Sequence, residues 1–295
     1  VIEGSEASFY QFHDVFDPGF RMAVRATLEH ERGKSAGAPW CLGYFVDNEM
    51  NWGEDTDLAG AVLRSSPGQY AKKVLVEELQ ARYGDVAALN RAWGTRHATW
   101  DDLRKSSQPP ANAQGARADL KRFNRRIAET YFRICRDEVK RIAPGQLYLG
   151  CRFTWEGEFG FEQAAKYCDV VSFNLYRLEL ESLRLPRELG VPVIIGEFHF
   201  GATDRNNVNS ALVEVADQRE RAAALARYVR SALANPLVVG VHWFQYMDEA
   251  VTGRGDGENY QAGFVGVTDA PYAETVAASR DVGAQLYRLR AGGKR

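Results

Sequence analysis

Five short apolar segments alternate with longer segments of helical character, and this alternation is the strongest constraint on the fold. Strands that alternate with helices form right-handed βαβ units around a parallel sheet. Apolar runs without polar alternation indicate strands that are buried on both faces. The sequence therefore predicts an α/β fold, organised as one domain over residues 1–295. The predicted strands cover residues 42–46, 147–153, 170–176, 191–196 and 238–244.

Capping residues set the boundaries of the predicted helices. Asp17-Pro18 and Ser66-Pro67 each combine an N-cap residue with a proline at the first helical position. Glycine ends helices, and Gly84 follows one of the helical stretches. The predicted helices cover residues 17–32, 66–83, 85–93, 117–142, 161–167, 217–234 and 273–289, with a loop over 105–116 and a short helical turn over 187–190.

Acidic residues directly follow two of the predicted strands. Asp47, Asn48 and Glu49 come after the first strand, and Glu197 comes after the fourth. In α/β barrels the carboxyl ends of the strands carry the chemistry. Retaining glycosidases use one carboxyl group as acid and base and another as nucleophile, about 5–5.5 Å apart. A single glutamate at a strand end is usually a solvated carboxylate, but two in matching positions favour a catalytic pair.

Several motifs resemble those of a known group of enzymes. Residues 43–53, Gly-Tyr-Phe-Val-Asp-Asn-Glu-Met-Asn-Trp-Gly, resemble the acid/base segment of family-50 β-agarases. The element at 83–95 is similar to one shared by those agarases and family-42 β-galactosidases, and residues 242–248 and 259–266 resemble their strand-8 region. These are clan A glycoside hydrolases, which are retaining (β/α)8 TIM barrels with an acid/base glutamate after strand 4 and a nucleophile after strand 7. The resemblance covers roughly residues 15–290.

The resemblance implies a role for each residue that matches the family pattern. Glu49 would be the acid/base and Glu197 the nucleophile. Asn48 would hydrogen-bond the sugar 2-hydroxyl, a contact that strengthens in the transition state. Tyr176 would hydrogen-bond the nucleophile, and Trp243 would form the floor of the sugar site. The alternatives are ordinary ones: Asn48 as a turn residue or helix cap, Tyr176 as a rim aromatic and Trp243 as a core residue.

Further residues are weaker candidates for substrate binding. Arg152 either lowers the pKa of a neighbouring carboxylate or belongs to a structural ion pair. His199 could contact the substrate or a catalytic carboxylate. Alternatively, it is a rim histidine whose hydrogen bonds are satisfied within the protein. Gln245 is a subsite candidate, and Trp52 and Trp155 are expected as exposed loop tryptophans that stack on polysaccharide. Asp47, Asp248 and Glu258 remain open as sugar ligands.

The predicted barrel is incomplete at its start. If Glu49 follows strand 4, strands 1–3 of the family barrel are absent, since only about 40 residues precede the strand. Five parallel strands do not close an eight-stranded barrel, and open edges expose unpaired backbone groups. The sequence predicts a partial barrel of about five βα units that is truncated at its N-terminus. A missing N-terminal segment or a partner chain would complete it.

The predicted function is a retaining glycoside hydrolase that cleaves β-galactosidic linkages of a galactan such as agarose. Two alternatives stay open: a β-galactosidase of the family-42 kind, and a catalytically silent carbohydrate-binding barrel remnant. The expected partner is an oligo- or polysaccharide. The resemblance alone suggests a secreted or periplasmic protein, and the sequence assigns no compartment.

Charge and composition exclude other classes of function. The formal net charge of −2 provides no basic field for nucleic acid. No apolar run approaches the ~20 residues of a membrane helix. The spacing of cysteines and histidines predicts no metal site and no cofactor. Cys41, Cys135, Cys151 and Cys168 are expected to be free thiols buried in the fold.

Overall fold

The computed structural model describes residues 1–5, 11–154, 159–181, 183, 190–205 and 209–292, and the chain divides into two compact units. Unit 1 comprises Val1–Cys151 and Gly157–Val170. Unit 2 comprises Arg152–Glu156 and Val171–Arg295. Within the described residues, the named strands all pair in parallel, in one sheet of two strands and one of three, and do not close a barrel. The α/β class with parallel strands is therefore confirmed.

Unit 1 is mostly helical around a short parallel pair of strands. Gly43 pairs with Leu147 and Tyr44 with Tyr148. The backbone pairing continues beyond the strands, because the N–H of Val46 donates to the carbonyl of Gly150 at 2.9 Å. The elements are α1 (Pro18–Glu29), β1 (Gly43–Tyr44), α2 (Asp57–Arg64), α3 (Tyr70–Tyr83), α4 (Val86–Trp93), α5 (Trp100–Lys105), α6 (Ala113–Ile142), β2 (Leu147–Tyr148) and α7 (Phe161–Tyr167).

The predicted caps begin or end several of these helices. Asp17 caps α1 through its side chain, which accepts from the N–H of Gly19, and Asp85 caps α4 in the same way. Gly84 ends α3 with a φ of 68°. The predicted start at Ser66 is wrong by four residues, since α3 begins at Tyr70. The short helices α2 and α5 were not expected, because neither carries a long apolar period.

The prediction that the first strand is buried on both faces is wrong. Leu42 is 60% exposed, and residues 43–46 are half-buried. Edge position alone does not cause this exposure, because both strands of a two-stranded sheet are edges and Tyr148 of β2 is fully buried. The apolar run correctly located the strand, but burial depends on what packs against it.

Trp52 belongs to the core of unit 1, so the expectation of an exposed loop tryptophan is wrong. Its side chain is fully buried and stacks on Phe132 with ring centroids 5.1 Å apart. Tyr131 and Phe12 contact the indole edge-on. Gly160 has a φ of 105°, and a Cβ there would lie 2.8 Å from the indole ring. Burying the large apolar indole stabilises the unit more than exposing it would.

Unit 2 has a three-stranded parallel sheet in the order β3-β4-β5, with β4 in the centre. All six residues of β4 are buried, as the apolar run predicts. Helix α8 begins after Asp217, whose side chain accepts from the N–H of Glu220, and packs against β5 and α9. The elements are β3 (Val171–Asn174), β4 (Val193–Phe198), α8 (Gln218–Ala234), β5 (Val238–Trp243), α9 (Ala273–Gly283) and α10 (Leu286–Gly292).

Three remaining expectations have mixed outcomes. The single helix expected over 273–289 is two helices, with Gly283 at the end of the first. The helical turn expected over 187–190 falls mostly outside the described residues. None of the four cysteines, all of which lie in the described residues, forms a disulfide, and three of them are buried while Cys41 is half-buried. Within the described ranges, none of the helices has the length and apolar character that crossing a membrane requires.

Candidate active site

Glu197 lies near the end of the buried central strand β4 and is held by two donors. Only 7% of the surface of Glu197 is exposed. The hydroxyl of Tyr176 donates to Oε2 at 2.6 Å, and Nη2 of Arg152 lies 3.1 Å from Oε1. A hydroxyl donor and a cation both favour the ionised form of a carboxyl group. The arrangement thus presents a fixed carboxylate at the carboxyl end of a parallel strand.

A glycine beside Glu197 makes room for this arrangement. A Cβ on Gly196 would lie 2.5 Å from Cδ of Arg152 and 2.9 Å from Oδ1 of Asn174. Arg152 itself has a φ of 53°, and its N–H donates to Oγ of Ser172 at 3.0 Å. Ser172, Asn174 and Gly196 were not among the predicted site residues, because their roles depend on contacts between strands.

His199 is buried and satisfied within unit 2. Its Nδ1 lies 2.9 Å from the carbonyl of Phe244, and its Nε2 accepts from the N–H of Leu212 at 3.1 Å. These partners assign the neutral tautomer with the proton on Nδ1. Burial lowers the pKa of His199 to about 4. Its ring lies 4.7 Å from the ring of Tyr176 and so supports the tyrosine; a direct contact with substrate stays a prediction.

Trp243 ends β5 and is oriented by a single backbone carbonyl. Its indole N–H donates to the carbonyl of Ala262 at 2.7 Å, and the N–H of Gln245 donates to the same oxygen at 3.0 Å. The indole is half-buried, with its ring edge-on to Phe198 at 5.3 Å. The exposed part of the ring is suited to stack on the apolar face of a sugar. Gln245 is also half-buried.

The two open acidic candidates of unit 2 have partners of their own. Asp248 is buried and accepts from the N–H of Gly263 at 2.8 Å and from the hydroxyl of Tyr272 at 2.6 Å. Glu258 lies 2.8 Å from Nη2 of Arg254. These contacts hold both carboxylates within the loop after β5, and a role as sugar ligands stays a prediction.

Glu49 lies in a loop of unit 1 that continues from β1. It is half-buried, has a φ of 52°, and its backbone N–H donates to the carbonyl of Cys151 at 3.3 Å. Asn48 beside it is also half-buried. Non-glycine residues with positive φ cluster at functional sites because the strain requires a reason to persist. Among the described residues they are Asp47, Glu49, Arg152 and Asp269, so three of the four are predicted site residues.

Asp47 anchors the Glu49 loop to the body of unit 1. Oδ2 of Asp47 accepts from the hydroxyl of the buried Tyr131 at 2.8 Å and lies 3.3 Å from Nε2 of His13. Burial acts to raise the pKa of Asp47, but the hydrogen bonds from His13 and Tyr131 and the charge of His13 together hold it below its usual value. Tyr131 and His13 therefore hold Asp47, which lies two positions before Glu49.

Some of the predicted site residues are therefore in contact with one another. In unit 2, Glu197, Tyr176, Arg152 and His199 form one contact network. Trp155 lies outside the described residues. The described part of the chain contains no group of three or more His, Cys, Asp or Glu side chains arranged to bind a metal ion.

Comparisons with known proteins are consistent in pointing to sugar-cleaving enzymes. A family model described as beta-galactosidase, that of glycoside hydrolase family 42, matches residues 6–192. Beta-agarase B from Vibrio sp. (strain JT0107) is 38% identical over 94% of this chain and 31% of its own length. Beta-agarase A from the same organism is 36% identical over 93% of this chain and 30% of its own length. The chain therefore spans about a third of these curated relatives.

A solved structure extends the similarity to the fold. A structure of an exo-beta-agarase superimposes with a TM-score of 0.91 at 36% sequence identity, covering 98% of this chain and 41% of that chain. Sequence and backbone therefore match the same group of proteins over nearly all of these residues.

Proposed function

The chain belongs to the clan A glycoside hydrolases, in the group matched by the family-42 beta-galactosidase model, and we propose that it cleaves β-galactosidic linkages of a galactan such as agarose with retention of configuration. Two relatives and one solved structure that carry the name agarase support this substrate. The observation that carries the proposal is the carboxylate of Glu197, buried on β4 and held by Tyr176 and Arg152.

In the first step Glu197 acts as nucleophile. A carboxylate oxygen of Glu197 forms a bond to the anomeric carbon while the bond from that carbon to the leaving oxygen breaks. Glu49 gives its proton to the leaving oxygen, so that the departing sugar leaves as a neutral alcohol. The hydrogen bond from Tyr176 holds one oxygen of Glu197 and directs the other. Asn48 would contact the 2-hydroxyl and Trp243 the face of the ring.

In the second step water releases the sugar. Glu49, now ionised, takes a proton from a water molecule, and the water oxygen attacks the anomeric carbon. The bond to Glu197 breaks, its carboxylate is restored, and two inversions give net retention. The positive φ of Glu49 supports this role, because a strained, half-buried loop residue is expected where a side chain must meet both leaving group and water.

Azide rescue tests the assignment of the two glutamates. Glu197→Gly should lose the release of phenol from an aryl β-galactoside and regain that release with azide, forming an α-linked glycosyl azide, because azide replaces the missing nucleophile on the face where Glu197 attacks. Glu49→Gly should give a β-linked azide instead, because azide then attacks the glycosyl-enzyme. The matched control is Glu162→Gly on α7, where an exposed carboxylate is removed and activity should not change. The opposite products would exchange the two roles.

A β-galactosidase of the family-42 kind is the second candidate, and the match of the family model to residues 6–192 favours it. Release of reducing ends from agarose, compared with release of p-nitrophenol from an aryl β-galactoside, separates the two. Activity on the aryl substrate alone supports the galactosidase. Binding of agarose without release of either product would support a silent carbohydrate-binding remnant and would contradict the proposed function.

The proposal for the fold is that these residues contribute about five βα units to one barrel domain, without the strands 1–3 of the family. It is supported by the parallel pairing of the named strands, which in the described residues do not close a barrel. A further segment or a partner chain would supply strands 1–3. Size-exclusion chromatography with light scattering, combined with an activity assay of residues 1–295 alone, tests this: a fully active, stable monomer would contradict it.

A further inference from the structure

Arg221 is a buried cation of unit 2 that the proposed reaction does not use. It lies on α8, and its side chain has no exposed surface. Burial lowers its pKa to about 10, a value that keeps the guanidinium charged at neutral pH. Removing a charge from water is unfavourable unless hydrogen bonds compensate for it. A buried arginine therefore needs a reason that surface arginines of the same helix do not.

The guanidinium joins the end of the Glu197 strand to the loop that holds Trp243. Its Nε donates to the carbonyl of Phe200 at 2.6 Å, three residues beyond Glu197. Its Nη2 donates to the carbonyls of Gln261 and Gly263, at 3.1 and 2.7 Å. These two residues flank Ala262, whose carbonyl accepts the indole N–H of Trp243.

The same guanidinium also faces the indole directly. Its central carbon lies 5.4 Å from the ring centroid of Trp243 and 4.9 Å from that of Tyr272, within the range of cation–π attraction. Tyr272 in turn donates to Asp248, which accepts from Gly263. Arg221 thus contacts both the ring of Trp243 and the two residues that flank the carbonyl bonded to its indole N–H.

We propose that Arg221 is a positioning residue that sets the orientation of Trp243 against the bound sugar ring and ties it to the strand that carries Glu197. This inference rests on the proposed function, since it assigns Trp243 to the sugar site. Only arginine suits the position: its planar fork of donors reaches three carbonyls in fixed directions, whereas a lysine ammonium does not.

A double-mutant cycle tests the proposal. Arg221→Lys keeps the charge and loses the fork, and we expect kcat/KM on agarose to fall about 10- to 100-fold, as misplacement of a binding group does. If Arg221 acts through Trp243, the variant with both Arg221→Lys and Trp243→Phe should be no worse than Trp243→Phe alone. Arg227→Lys is the matched control, because Arg227 lies on the same helix, is exposed and pairs with Glu220.

Two results would overturn the proposal. Additive losses in the double variant would mean that Arg221 supports the fold in general and not Trp243. Unchanged kcat/KM in a folded Arg221→Lys variant, with agarose as substrate, would mean that the orientation of Trp243 does not depend on the fork.

Two spectroscopic measurements test the proposal without an activity assay, and the second of them needs no Arg221 variant. With 5-fluorotryptophan incorporated, Trp243→Phe identifies the fluorine signal of Trp243, and Arg221→Lys should shift it while Arg227→Lys should not. In the unaltered protein the indole N–H of Trp243 should exchange far more slowly than that of Trp40, which is 74% exposed. Equal exchange rates would refute a held indole, even if no Arg221 variant folds or if agarose is not hydrolysed.

Discussion

The two candidate catalytic glutamates lie in different kinds of surroundings. Glu197 is buried on a fully buried strand and held by Tyr176 and Arg152. Glu49 is half-buried in a loop with positive φ, after a strand of only two residues. A nucleophile works from one orientation and one ionisation state, whereas an acid/base must exchange protons with a leaving group and with water. The difference in surroundings agrees with the different tasks proposed for the two residues.

Replacing either glutamate should have the largest effect on kcat, and the two replacements should differ between substrates. Glu197→Gln should lower kcat about 10⁴-fold or more on both agarose and an activated aryl galactoside, because neither reacts without the nucleophile. Glu49→Gln should be equally damaging on agarose but much less so for the first step on the aryl substrate, whose leaving group needs little protonation. Pre-steady-state release of p-nitrophenol measures this. A normal burst in Glu197→Gln would reverse the assignment.

A buried carboxylate of unit 1, Glu138, makes the stability of the protein depend on pH. Hydrogen bonds from Arg25, Arg141 and Arg21 lower the pKa of Glu138 in unit 1 to about 2, against the opposing effect of burial. Because the folded-state pKa is depressed, its stabilisation is present above the ordinary pKa of 4.5 and is lost as the pH falls towards 2.

Glu138→Gln should therefore destabilise the protein at pH 7 by up to about 3 kcal/mol. The loss of melting temperature relative to the unaltered protein should shrink below pH 4. Glu162→Gln, which removes an exposed carboxylate, is the control for both measurements. A pH-independent difference between Glu138→Gln and the unaltered protein would refute the charge argument.

Removing the tyrosine hydroxyl tests how far Glu197 depends on its donors. Tyr176→Phe deletes the 2.6 Å hydrogen bond and keeps the ring against His199. A hydrogen bond to a charged group is worth about 1.5–3 kcal/mol, so kcat should fall roughly 10- to 150-fold. Tyr287→Phe, at a tyrosine that is 93% exposed, should have no effect. An unchanged kcat in Tyr176→Phe would mean that Arg152 alone suffices.

Adding a methyl group at Gly196 tests the close packing beside Glu197 and should have the smallest effect of these changes. Gly196→Ala forces a Cβ to within 2.5 Å of Cδ of Arg152, so that the arginine must shift. Overpacking of this kind costs about 1–3 kcal/mol. Thermal unfolding and kcat should both decline. Gly68→Ala, where nothing lies within 4 Å of the new Cβ, should change neither. A decline in stability without any loss of kcat would show that Arg152 is not needed at Glu197.

The sequence alone predicted the α/β class, the strands β3, β4 and β5 to within a few residues, and the caps at Asp17 and Asp85. It also identified the clan A family, which the comparisons confirm. These features are encoded locally: strand periodicity, capping residues and short motifs act over a few neighbours. The positions of Glu49 and Glu197 directly after apolar runs belong to the same local information.

The contacts of individual side chains follow from the three-dimensional packing and not from local sequence. The sequence predicts Trp52 in an exposed loop, whereas in the structure its side chain is buried in the core of unit 1. Arg221 reads as one more charge on a polar helix face, yet it is buried and bonds to carbonyls about 20 and 40 residues away along the chain. Such contacts arise when parallel strands bring distant segments to one edge of a sheet, and no local pattern encodes which of them will meet.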